Sequence, residues 1–388
     1  MTALAQLLSK QIREEGSMPF ADFMAVALYH PEHGYYASQR LRTGKAGDFY
    51  TSVSVGPVFG QLMASEFCGA WDRMGKPSRF TIIEAGANDG QLALDVLTWI
   101  RERRPDFLAA LTYQIDEPLV SAAALQRQTL AAFPATITHH SNDPHAHGCY
   151  FANELLDAMP CHRVRFWAGH WQELRVGLDA ANDFCAVEKE PEDTNLLSRL
   201  AWLGNGFPEG YTTEIAPVVA SHMHLAAARL EQGYLFFADY GYPARDYYAP
   251  HRATGTLRCY RNHRAHEDPF DAIGETDLTA HVDFSLAATA AVQAGCTVLG
   301  FVDQARFLTA AAAPLLREME RSDGATASAW QRQFQTLTHP AWLGQKFHFL
   351  VLGKSVPHLA RPDSLAFARP SAVADLLAGD FRRPEDDE

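Results

Sequence analysis

The chain has 388 residues, 47% of them hydrophobic and 20% charged, enough to bury one elaborated domain or a domain with a cap. Its net charge of −13, from 33 Lys and Arg against 46 Asp and Glu, argues against nucleic acid or an anionic membrane as the main partner. Six cysteines without C-x-x-C spacing, no apolar run of membrane-spanning length and an opening stretch without a charged leader predict a soluble, cytoplasmic protein with no membrane insertion.

Residues 1–78 read as an N-terminal helical and lid region. Phe20, Phe23, Met24, Ala27 and Leu28 form a helix face that His30-Pro31 ends. After His33-Gly-Tyr-Tyr36 comes Gly44-Lys-Ala-Gly-Asp-Phe-Tyr-Thr-Ser52, Gly-hinged and rich in hydrogen-bonding groups. Its composition suits a lid over a ligand, or a solvated loop whose aromatics pack on the core. Phe59, Leu62, Met63, Phe67 and Trp71 mark an amphipathic helix.

Phe80-Thr-Ile-Ile83 then predicts a buried strand, Glu84-Ala-Gly-Ala-Asn-Asp-Gly90 a sharp turn, and Leu92, Val96, Leu97 and Ile100 a helix. A strand feeding a helix through a Gly turn opens a doubly wound α/β sheet, which binds ligands at its carboxyl strand ends. The turn is no dinucleotide fingerprint. With Gly86 first, Asn88 and Gln91 stand where the second and third glycines belong, so a dehydrogenase reading fails. An acid-led Glu-x-Gly-x-Asn-x-Gly suits a ligand with a cationic head and no phosphates, such as S-adenosylmethionine; a purely structural turn is the competing reading. Asn88 is admissible there because Asn visits the left-handed region more readily than other side chains.

Leu111–Pro118 predicts a second strand ending in Asp116 and Glu117, where an acid can accept ribose hydroxyls. The helix Leu119–Phe133 follows. His139, His140, His145 and His147 match no metal-ligand spacing, and no metal is predicted. Cys149–Asn153 is a third strand. Glu154 and Asp157 behind it could face one pocket or simply stabilise a helix N-terminus. Residues 163–178 alternate as a hairpin, predicted at the sheet edge. Glu214 precedes the helix 217–230, and Gly233–Gly241 is a fourth strand ending at Asp239.

Residues 242–283, rich in Arg, His, Tyr and Pro, read as a functional insertion forming part of an acceptor site. Helices over 284–294 and 303–319 flank a strand at 296–302, and Lys346–Leu352 is the last strand. The core is thus a Rossmann-like, mostly parallel α/β sheet over 79–241 and 284–354, and 355–388 is predicted as a mobile tail.

Several ordered motifs carry a resemblance. They are His30-Pro-Glu-His-Gly-Tyr-Tyr36, Gly47-Asp-Phe-Tyr-Thr-Ser52, the Glu84 turn, Ala152-Asn-Glu-Leu-Leu-Asp-Ala-Met-Pro160, Asp239-Tyr-Gly241, Gly255-Thr-Leu-Arg258 with His263, Asp277-Leu-Thr-Ala-His-Val-Asp-Phe284 and Leu343-Gly-Gln-Lys-Phe347. In this order the chain resembles the MidA-like family of S-adenosylmethionine-dependent methyltransferases, of class I fold, whose mitochondrial members methylate an arginine on a respiratory complex I subunit. The resemblance implies that cofactor and a protein acceptor, with arginine favoured. It places Glu84 and Gly86 on the methionine side, with Asn88 and Gly90 in the same turn. Glu117 falls at the ribose, Asn153 faces the adenosine, and Asp48, Tyr50, Thr51 and Ser52 form a lid. Glu154 and Asp157 are the leading pair for a guanidinium, Glu214 and Asp239 stand in reserve, and His263 and Asp277 are supporting or proton-accepting groups. Asn88 departs from the family's glycine. A small-molecule methyltransferase and a catalytically weak, cofactor-binding assembly factor are the alternatives.

Overall fold

The computed structural model describes residues 1–37, 51–134, 136–139, 146–261, 264–319, 325–356, 361–379 and 381. The chain lays down β1 (Phe80–Ala85), β2 (Leu111–Asp116), β3 (Ile137–His139) and β4 (Ala146–Asn153). It leaves that sheet for β5 (His162–Trp167), β6 (His170–Leu178), β7 (Phe184–Lys189) and β8 (Thr212–Ile215), then returns as β9 (Leu230–Tyr242). The insertion holds β10 (Arg258–Arg261), β11 (Arg264–His266), β12 (Asp277–Thr279) and β13 (Val282–Asp283), and β14 (Thr297–Asp303) and β15 (Phe347–Lys354) finish the fold.

The central sheet runs β14-β15-β9-β4-β1-β2-β3, with β13 beside the end of β9. Strands β3, β2, β1, β4 and β9 are parallel, and β15 runs antiparallel between β9 and β14. Alternation feeds two cores. Ile82, Tyr113, Phe151, Phe236 and Phe349 meet the helices Val58–Arg73, Gln91–Arg103 and Gln304–Met319. Ile83, Tyr150, Phe237 and Leu350 meet Pro217–Ala228 and Phe284–Gln293. Covering both faces explains why these strands are near-continuous apolar runs. The strand order reverses at β1 and β4, so their carboxyl ends open a crevice.

The second lobe corrects two expectations. The 163–178 hairpin is not on the edge of the central sheet but belongs to a separate antiparallel sheet, β7-β6-β5-β8. Position beside β4 is already taken by β9, and this hairpin has its own apolar partners on both sides. Val164 and Phe166 pack with Leu196 and Leu200 of the helix Thr194–Leu203, while Val176 packs with Leu4, Phe20 and Phe23. Residues 1–78 therefore do not act as one region. Helices Ala3–Glu15 and Phe20–Tyr29 cover the second lobe, whereas Val58–Arg73 belongs to the central core. The small sheet β11-β10-β12 joins this lobe through Cys259 and Leu278.

The expectation of a mobile tail fails for residues 361–379. Leu365 is 0% exposed in one core and Leu376, from the helix Pro370–Leu376, 1% exposed in the other. Apolar side chains spaced to reach two faces of the sheet outweigh the Pro-rich composition. Leu365→Ala is therefore expected to lower the unfolding free energy by about 2–5 kcal/mol in a urea titration. An unchanged midpoint would show that the segment does not pack.

Candidate active site

At the end of β1 the chain turns through three left-handed residues, Gly86 (φ +71°), Asn88 (+48°) and Gly90 (+82°). A Cβ on Gly86 would lie 2.9 Å from Leu155 Cδ1, so only glycine leaves the backbone open there. Asn88 takes the conformation a glycine would take, and its carbonyl accepts from Gln126 Nε2 at 2.8 Å. The departure from the family glycine leaves the turn intact. Asp89 Oδ1 accepts the first helical amide, Gln91 N–H, at 3.0 Å.

Two carboxylates flank this turn. Glu84 is 3% exposed and accepts from the Tyr113 hydroxyl at 2.6 Å. Burial pushes its carboxyl up to about 7; the Tyr113 hydrogen bond opposes the rise, and Asp89 and Glu117 add repulsion. Glu117, just past β2, is buried and accepts Leu119 N–H at 3.1 Å. Its neighbour Asp116 instead pairs with Arg229 and accepts from Gln114 Nε2 at 2.7 Å.

Beyond β4 the backbone reverses at Glu154, itself left-handed at φ +52°. Its amide donates to Ala238 O of β9 at 2.9 Å. The turn after it is gathered by one carboxylate. Asp239 Oδ2 accepts the amides of Leu155, Leu156 and Asp157 at 3.1, 2.8 and 3.3 Å, and Oδ1 accepts Tyr240 N–H at 2.9 Å. Asp239 and Asp157 are both buried and both pushed up, by burial first, and for Asp239 next by the charge of Asp157. The two share the difficulty of ionising together. Glu154 keeps partial exposure, and its Oε1 accepts from Asn153 Nδ2 at 3.0 Å and Ser52 N–H at 3.3 Å. Its carboxyl is lifted to about 8, by desolvation and then by Asp157.

The second lobe closes the other side. The Tyr29 hydroxyl donates to Ala158 O at 2.9 Å, and its ring stacks on Tyr36 with centroids 5.4 Å apart. Tyr36 donates to Asp277 Oδ1 at 3.2 Å. Asp277, 0% exposed, stands opposite Tyr260 in the β10–β12 ladder. Tyr29, Tyr36, Tyr240 and Tyr260 are each partly exposed, and each hydroxyl is pushed up by desolvation and by the surrounding carboxylates. They stay protonated and leave the negative charge to the acids.

The fold thus brings Glu84, Gly86, Asn88, Gly90 and Glu117 together at β1 and β2, and Asn153, Glu154 and Asp157 beside β9. Ser52 joins them through its amide alone, for its buried hydroxyl donates to Gln304 Oε1 at 3.1 Å. Thr51 and Ser54 bond one another in a local turn. Asp48, Tyr50 and His263 lie outside the described residues. The two reserve acids are hydrogen-bonded within the fold. Asp239 is spent on backbone amides. Glu214 lies on β8, accepts Thr256 N–H at 2.6 Å and Thr256 Oγ1 at 3.2 Å, and faces Arg163 Nε at 3.6 Å. Gly255 has no room for a side chain because a Cβ would lie 2.4 Å from Glu214 Oε1. Sequence reasoning gave the tyrosines no role. The signal available was Gly34-Tyr-Tyr36, a tight turn that buries one ring and presents the next.

The residues present fit adenosylmethionine. An open glycine turn, a buried acid and an Asn153 Oδ1, the last two without an ion pair or hydrogen-bond donor respectively among the described residues, lie at neighbouring strand ends. Fold and turn together define the class of S-adenosylmethionine-dependent methyltransferases. Residues 62–302 match a family model described as "Putative S-adenosyl-L-methionine-dependent methyltransferase", and the chain belongs to that family. A solved structure of a "likely methyl transferase" from Burkholderia thailandensis bound to S-adenosyl-homocysteine is 32% identical, covers 95% of this chain and 96% of that one, and superposes with a TM-score of 0.86. The mitochondrial protein arginine methyltransferase NDUFAF7 homolog of Drosophila melanogaster is 28% identical over 94% of this chain and 89% of its own. The human NDUFAF7 is 25% identical over 92% and 84%.

Raised carboxyl values fix the sign of a pH effect. Above pH 4.5, the ordinary glutamate value, the unfolded chain loses protons that the folded chain keeps until about 7 at Glu84 and about 8 at Glu154. Stability contributed by these groups is full at low pH and is lost as pH rises through that window. Thermal melting of ligand-free protein should show Glu154→Gln gaining on the parent steadily from pH 5 to 8. A difference independent of pH would contradict the Glu154 shift.

Proposed function

We propose that this methyltransferase modifies the guanidinium of an arginine in a protein. One observation carries the reading: the carboxyls of Glu154 and Asp157 lie together among the hydroxyls of Tyr29, Tyr36, Tyr240 and Tyr260, and neither acid has an ion pair among the described residues. Carboxylates ringed by aromatic faces select a planar cation. The names of the relatives, protein arginine methyltransferases, support the same choice.

Adenosylmethionine, when bound, supplies an electrophilic methyl group on a positively charged sulfur. Glu84 and the backbone of Gly86 would hold its cationic, methionine end, Glu117 the ribose hydroxyls and Asn153 the adenosine side. Asn88 and Gly90 keep the turn open. Glu154 and Asp157 would accept hydrogen bonds from the guanidinium and hold one nitrogen in line. Orienting reactants in this way is worth about 7–11 kcal/mol of barrier. The nitrogen that gains a methyl must shed a proton, and Glu154, lifted to about 8, is the base suited to take it near neutrality. Ser52 and Asn153 aim that carboxylate. Tyrosines around it limit water.

The test is transfer of labelled methyl groups from adenosylmethionine into proteins of a cell extract, followed by hydrolysis and identification of the labelled amino acid. Methylarginine is expected; label confined to another residue or to small molecules would overturn the proposal. Glu154→Gln should cut turnover by about 100-fold or more while calorimetry shows adenosylmethionine affinity largely kept. In the parent, kcat/KM should rise with pH and level off above about 8, as Glu154 ionises.

A further inference from the structure

Arg258 opens β10 beside the crevice, and the chemistry above makes no use of it. In the β10–β12 ladder Arg258 stands opposite Thr279, Cys259 opposite Leu278, and Tyr260 opposite Asp277. Cys259 and Leu278 face the core of the second lobe. Alternation therefore puts Arg258, Tyr260 and Asp277 on the other face of the small sheet. That face looks onto the acids: the Tyr260 hydroxyl feels Asp277 and Asp157, and Arg258 pulls it the opposite way. Arg258 also acts on His281, whose ring lies parallel to that of Tyr240 at 6.4 Å.

Its neighbours are committed and it is not. Arg261, on the opposite face, meets Asp271 and Glu275 at 3.5 and 3.3 Å. Arg252 lies over the Tyr242 ring at 4.0 Å and donates to Asp246 O. Arg258 is exposed and donates to the adjacent Leu257 carbonyl at 2.9 Å, with no ion pair among the described residues. A chain of net charge −13 thus keeps, on the face shared with Tyr260 and Asp277, an exposed arginine with no ion pair among the described residues.

We propose that Arg258 binds an Asp or Glu side chain of the protein acceptor, next to the target arginine, and so selects arginines in acidic surroundings. The inference rests on the arginine reading above. A pit of acids alone attracts any cation, including lysine-rich segments and polyamines. A positive charge at its mouth repels polycations and rewards an acceptor that offers a carboxylate beside its guanidinium, which is specificity by attraction and repulsion together.

The test uses the full chain with adenosylmethionine and synthetic arginine peptides in which one flanking position is Asp, Asn or Lys. The parent should favour one Asp peptide over its Asn counterpart by about 5-fold in kcat/KM, the upper range for an exposed ion pair. Arg258→Gln should erase that preference, and Arg258→Glu should turn it towards Lys. Calorimetry should give all three proteins the same adenosylmethionine affinity within about 2-fold. An Asp preference that survives Arg258→Gln overturns the inference, as does weakened cofactor binding, which would assign Arg258 to the cofactor's own carboxylate. Free arginine methylated as fast as the best peptide, with that activity lost in Arg258→Glu, also overturns it by making the α-carboxylate the ligand. Methylarginine formed without any flanking preference sinks this inference alone, whereas label found in another residue sinks the arginine reading with it.

Discussion

One buried carboxylate, Asp239, holds the turn on which the rest of the site depends. It receives the amides of Leu155, Leu156 and Asp157, so the backbone after β4 must wrap round the end of β9. That wrapping drives Glu154 into the left-handed region, at φ +52°, a conformation costing about 1–3 kcal/mol for a residue with a side chain. In return Glu154 and Asp157 stand side by side at the crevice. An amide in place of Asp239 would offer one accepting oxygen where the carboxyl uses two, Oδ2 for three amides and Oδ1 for a fourth.

Contrast with the other buried acids sets the strand-end group apart. Glu66 pairs with Arg73 at 2.6 Å, Asp283 with Arg199 and the Tyr248 hydroxyl, and Glu173 with His162 at 2.6 Å and Arg175 at 3.2 Å. Such partners cover the desolvation cost of a buried charge. Glu84, Glu154, Asp157 and Asp239, at the strand ends, are instead lifted towards neutrality, by burial above all. An acid left in this state destabilises the ligand-free fold as pH rises, and a cation arriving in the crevice relieves it. Stability has been given up where ligand charge is to be received.

Legibility followed how local each signal was. Strand, glycine turn and helix over 80–103 were readable because a short apolar run, two glycines and a helical stripe lie within one stretch. Glu154 and Asp157 stood out as acids just past a strand end. The separate lobe was not readable, because the alternation of 163–178 says which side chains share a face but not which sheet the strands join. Burial of Leu365 and Leu376 was hidden in the same way: composition marked a loose tail, while the two cores that receive those side chains are built from residues far upstream. The bonds that Asp239 and Glu214 make within the fold were hidden for the same reason. An acid near a strand end reads alike whether it faces a ligand or backbone amides.

The turn at 154–158 is also held from outside the central sheet, and this ties the two lobes to one chemistry. From the sheet side come Asp239 and the Ala238 carbonyl; from the second lobe Tyr29 donates to Ala158 O and the Ala280 amide donates to Asp157 O at 2.9 Å. Tyr29 lies on a helix whose buried residues pack with β6 and β12, and Ala280 follows β12 directly. Any shift of the second lobe against the sheet must therefore move Ala158 and Asp157 or break these bonds. Tyr29 and Tyr36, Glu154 and Asp157, and Tyr260 and Asp277 therefore meet only when both lobes are docked. On the reading proposed above, the donor would be held by the ends of β1, β2 and β4 within one sheet, and the acceptor by both lobes together. That reading makes acceptor geometry depend on lobe docking, and donor geometry on the strand ends.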